Sequence, residues 1–89
     1  MSQKSSPVTF SVVIVNREPE RDDEFSLLVK LISGRPDLDQ IFINLSHGGK
    51  WMITELRFGS PVPSEMSRIV VRHINGPKTL APDSILEEI

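Results

Sequence analysis

The sequence predicts an α+β domain, a four-stranded antiparallel meander sheet with one helix after strand 4. Three observations lead to this. Four segments between residues 8 and 58 alternate side chains at period two and are rich in β-branched and aromatic residues. Charged, Gly-rich or Pro-rich stretches separate them. After the fourth, the apolar residues fall at helical spacing. One alternative competes: a small all-β barrel or sandwich in which residues 66–74 form a fifth strand, because Ile69, Val70 and Val71 are consecutive β-branched residues.

The first strand is residues 8–16, with Val8, Phe10, Val12 and Ile14 on one face and Thr9, Ser11, Val13 and Val15 on the other. Residues 17–24 are charged and hold a proline, which makes them a solvated loop. Residues 25–32 form the second strand, dividing Phe25, Leu27, Val29 and Leu31 from Ser26, Leu28, Lys30 and Ile32. Turn formers fill 33–39. The third strand, 40–45, groups Ile41, Ile43 and Leu45. Gly48 and Gly49 then supply the positive φ angles of a tight reversal. The fourth strand, 51–58, sets Met52, Thr54, Leu56 and Phe58 against Trp51, Ile53, Glu55 and Arg57. Ser60-Pro61-Val62-Pro63 reads as an extended linker. From the cap Ser64, residues Met66, Ile69, Val70, His73 and Ile74 make a helical stripe, and Asn75-Gly76 a left-handed end. The expected organisation is a disordered N-terminus at 1–7, a single α+β domain over 8–76, and a flexible or loosely packed tail at 77–89. That tail has room for one helical turn at 83–88.

Composition narrows the function classes. Eighty-nine residues suit one small domain, and a chain of this size buries only about 60% of its unfolded surface. Without cysteine there are no disulfides, zinc–thiolate sites, iron–sulfur clusters or cysteine nucleophiles. A net charge of −2 gives no overall attraction to nucleic acid. No apolar run has the character of a signal peptide or approaches the ~20 residues of a membrane span. The expected location is the cytoplasm, with no membrane partner.

The functional expectation comes from counting faces. One short helix covers one face of a four-stranded sheet. The natural inner face holds Phe10, Val12, Ile14, Leu27, Val29, Ile41, Ile43, Met52, Leu56 and Phe58. The opposite face, which water should wet, still carries Val13, Val15, Leu28, Ile32, Phe42, Trp51 and Ile53. An apolar patch of that kind marks an interface, and aromatics with arginine are the usual anchors. The sequence therefore predicts a non-enzymatic, homodimeric protein-interaction module, or accessory protein, that contacts itself or another protein through Phe42, Trp51, Ile53 and Arg57.

The second reading is a small nucleic-acid-binding accessory protein. Residues 16–39 hold four basic and seven acidic residues, whereas 47–78 hold five and two, so positive charge gathers in the second half. Lys50, Arg68, Arg72 and Lys78 are the candidate phosphate contacts, but stacking aromatics near them are few. Other chemistry is weaker still. The acidic groups Asp22–Glu24 and Asp37/Asp39 fall in loops at opposite ends of a meander, too far apart to share a cation. His47 and His73 lack a nucleophile or metal-type spacing. Gly48-Gly49-Lys50 lacks the rest of a phosphate loop. No cofactor, metal or catalytic residue is expected.

Overall fold

The period-two segments all become strands, and so does the stretch expected as a helix. The structure, a computed structural model, describes residues 7–18, 21–57 and 62–89. Residues 1–6 of the expected disordered N-terminus, Phe58 of the expected inner face and Ser60-Pro61 of the expected linker lie outside those residues. The strands are β1 (Thr9–Arg17), β2 (Glu24–Ser33), β3 (Ile41–Asn44), β4 (Lys50–Arg57), β5 (Met66–Asn75) and β6 (Ile85–Glu88). They close into an antiparallel barrel in the order β1-β2-β5-β4-β3-β6.

This overturns the α+β expectation: the protein is all-β, with no helix among the described residues and no four-stranded meander. The order departs from a meander because β5 lies between β2 and β4. As a helix, residues 64–75 would leave both of those strands with an open edge. As a strand they satisfy both, pairing Glu24–Lys30 with Arg72–Met66 on one side and Lys50–Arg57 with Asn75–Arg68 on the other. Such non-local pairing outweighs a local apolar stripe, and the β-branched Ile69-Val70-Val71 run suits a strand. The segment 77–89 supplies β6, which pairs with both β1 and β3 and closes the ring.

The expected faces also change. Phe42, Trp51 and Ile53 point into the barrel, while Ile41, Ile43 and Met52 alternate outward. Two irregularities shift the alternation elsewhere. A register shift between Val12 and Ile14 turns Ile14 outward and lets Val15 pack against the core instead. A second shift between Ile53 and Glu55 sends Leu56 inward after Trp51 and Ile53. Each bulge adds one residue to a strand and reverses the inside–outside parity beyond it.

A single cluster fills the interior, built from Val8, Phe10, Val12, Phe25, Leu27, Val29, Phe42, Trp51, Ile53, Ile69, Val71 and Leu86. Phe10 and Phe42 stack tilted at 4.8 Å, and the edge-on neighbours of Trp51 are Phe25 at 5.4 Å and His73 at 5.0 Å. Aromatic bulk explains why these parities face inward: closing six strands leaves a volume that large rings fill. Val70 points outward yet is 1% exposed. Its register partners on either side are Ser26 and Glu55. Arg57 donates to both, and to Glu18, so its guanidinium bridges the strands above Val70.

The turn between β3 and β4 is held by side-chain bonds and a close backbone approach. Buried Asn44 accepts at Oδ1 from the backbone N–H groups of Ser46 (2.9 Å) and His47 (3.1 Å), and its Nδ2 donates to the Thr79 carbonyl at 3.1 Å. Gly49 has φ +93°, and the position its Cβ would occupy is taken by the Pro77 carbonyl oxygen. The turn is thereby locked to the β5–β6 connection.

Candidate docking face

The three residues expected as interface anchors are core residues. Phe42, Trp51 and Ile53 are each 0% exposed inside the barrel, so a second protein cannot reach them while the barrel is closed. The surplus of apolar sheet that suggested an open face is absorbed by closing the sheet on itself. Arg57 does reach the surface, but as the strap over Val70, in ion pairs with Glu18 and with Glu55 at 3.0 Å. The hydrogen bond to Glu55 is the largest influence holding this guanidinium's pKa above the ordinary arginine value; burial opposes it, and the bond to Glu18 adds to it.

The basic residues of the second reading are only partly gathered. Arg68 and Arg72 share the outer face of β5, Lys50 lies at the start of β4, and Lys78 sits in the β5–β6 connection. Arg72 is opposite Glu24 on one side and Met52 on the other, and Arg68 is opposite Leu28 and Arg57. Every phenylalanine and tryptophan ring among the described residues is buried. The stacking platform that single-stranded nucleic acid needs is therefore missing among them. The histidines are also apart: His47 lies on the exposed β3–β4 turn, and a ring nitrogen of His73 is 2.8 Å from the Gly76 carbonyl oxygen. Among the described residues no group of three or more His, Asp or Glu is placed to hold a metal ion.

A different surface stands out on the outside of β3, β6 and the start of β4. The inward positions Phe42, Asn44, Trp51 and Leu86 fix the outward ones. In register these form three rows. Ile41 lies beside Met52 of β4, and its carbonyl accepts the Ile89 N–H at 3.0 Å, which brings Ile89 alongside. Ile43 lies between Lys50 of β4 and Glu87 of β6. Leu45 donates its N–H to the Ile85 carbonyl at 2.8 Å, so these two are neighbours. The patch is Ile89, Ile41, Met52, Ile43, Leu45 and Ile85, with Lys50 and Glu87 on its two flanks. Leu45 is 57% and Ile89 67% exposed.

Sequence reasoning missed this surface because it placed Ile41, Ile43 and Met52 on the inner face of the sheet, with Leu45 on the same side of its strand as the first two. The bulk of Phe42, the only aromatic in that strand, was the available signal for the opposite parity.

Compared with known proteins, the chain matches no family model, no curated protein and no solved structure. Among the described residues no helix is long and apolar enough to cross a membrane.

Proposed function

We propose that the protein is a non-enzymatic interaction module that docks a protein partner on the outer face of β3, with β6 and the start of β4. One observation carries the reading: six aliphatic side chains are contiguous there, and Leu45 and Ile89 are more than half exposed. Scattered exposed aliphatics need no explanation, whereas a contiguous set marks a contact surface. Among the described residues the buried core is built without these six side chains. The reading includes a cytoplasmic location, which suits a cysteine-free chain.

The test is site-specific photo-crosslinking in cells producing the full chain. A photoreactive residue replaces Leu45 in one variant and Ile32 in the other. Ile32 is equally exposed at 57% but lies on β2, three strands from β3 in either direction around the barrel. A discrete protein adduct from position 45 with none from position 32 is expected. Adducts from both positions alike, or from neither, refute the reading.

A further inference from the structure

We infer that the partner is a second copy of this chain, docked face to face about a two-fold axis that runs along β3. The inference rests on the docking reading above and adds the occupant and its orientation. It follows from the placement of two charges.

Lys50 and Glu87 are both register partners of Ile43, one on β4 and one on β6. Each Cα lies about 4.8 Å from that of Ile43, in opposite directions across the sheet. Among the described residues neither takes part in an ion pair within its own chain. A patch with one positive and one negative flank at the same level is complementary to itself, as an isologous interface must be.

The sign of the charges selects the axis. A two-fold along β3 exchanges the flanks, so Glu87 of each copy meets the partner's Lys50. The same operation stacks Ile41, Ile43 and Leu45 on their own counterparts and sets Ile89 over the partner's Met52. The other in-plane two-fold, across the strands, brings Glu87 against the partner's Glu87 and Lys50 against the partner's Lys50, which like-charge repulsion disfavours. With the axis along β3, the β3 strands of the two copies run in the same direction, the aligned form of sheet packing.

The patch amounts to a few hundred Å² on each copy, short of the ~800 Å² per partner of a standard interface. The dimer should therefore be weak and concentration-dependent, with dissociation on the order of micromolar to millimolar.

Analytical ultracentrifugation of the full chain from roughly 1 μM to 1 mM tests this. The parent should pass from monomer to dimer. Lys50→Glu and Glu87→Lys alone should each weaken association on the order of tenfold or more. The double swap, K50E with E87K, should restore it to within about threefold. Leu45→Arg should abolish it, with thermal melts showing that every variant folds. A monomer at all concentrations, a dimer indifferent to the single charge changes, or a swap as weak as either single change overturns the inference. A monomer whose position-45 crosslinker still yields a discrete adduct with another protein overturns the self-docking and leaves the docking reading standing. Absence of any adduct removes both.

Discussion

Trp51→Ala separates a core indole from an interface indole. Trp51 is fully buried, with ring edges against Phe25 and His73. Truncating such a residue costs about 3–5 kcal/mol. Its buried Nε1 has no hydrogen-bond partner among the described residues, a defect worth about 1–3 kcal/mol that the substitution removes. The expected loss is therefore at the lower end, about 3 kcal/mol. A domain of 89 residues has roughly 4–13 kcal/mol in total, so the variant keeps little margin. At about 4–8 °C per kcal/mol, Tm should fall by at least about 12 °C. Urea unfolding followed by far-UV circular dichroism is the appropriate assay, because the variant lacks the only tryptophan and with it the fluorescence signal. Trp51→Phe keeps an aromatic ring and loses the unpartnered donor, so it should cost less than about 1.5 kcal/mol. If Trp51→Ala leaves the unfolding midpoint unchanged while weakening self-association, the indole is on the surface and the barrel interior described here is wrong.

Four further substitutions probe the turn and the strap. Gly49→Ala should cost about 3 kcal/mol or more in urea melts, because φ +93° and the Pro77 carbonyl both oppose a Cβ; Gly48→Ala, with φ +77° and only ordinary contacts to Pro77 Cγ at 3.5 Å and Cδ at 3.6 Å, should cost about 1 kcal/mol. Equal costs would mean that the turn and the 76–77 segment are not in contact. Asn44→Ala should destabilise by about 2–4 kcal/mol, since two backbone donors and the Thr79 carbonyl lose their partner; hydrogen exchange at the Ser46 and His47 amides should accelerate with it. Arg57→Ala should cost about 1–2 kcal/mol by uncovering Val70 and releasing Glu18, Glu55 and Ser26, and the difference from the parent should shrink in high salt.

Four of the six strands were legible in sequence because alternation is a local property of the chain. The inside–outside assignment was not, because alternation divides a strand into two faces without saying which is inside. On β3 the choice lay between three aliphatics and one phenylalanine, and the interior took the phenylalanine. On β1 and β4 a bulge reversed the parity part-way, leaving no local trace near Val13 or Thr54. Residues 64–75 carried a helical stripe with a signal at each end, which locally outweighed the β-branched run, and the deciding influence, the open edges of β2 and β4, lies elsewhere along the chain. β6, only four residues long and preceded by prolines, was too short to announce itself. The docking face shared the fate of the parity assignment. Its residues were visible, but on the wrong side of the sheet.

The final closure joins distant parts of the chain, for Thr9 pairs with Glu87. Until Ile85–Glu88 is in place, β1 and β3 each present a row of unpaired backbone groups, the template on which strands of other molecules add. Loop entropy must be overcome before that last ladder returns anything, so acquisition of the native state should be slow for so small a protein, in milliseconds to seconds. During that interval a nascent or heat-stressed molecule is most exposed to misassembly. Four residues near the end of the chain thus govern whether the polypeptide becomes a sealed cylinder or an aggregation seed.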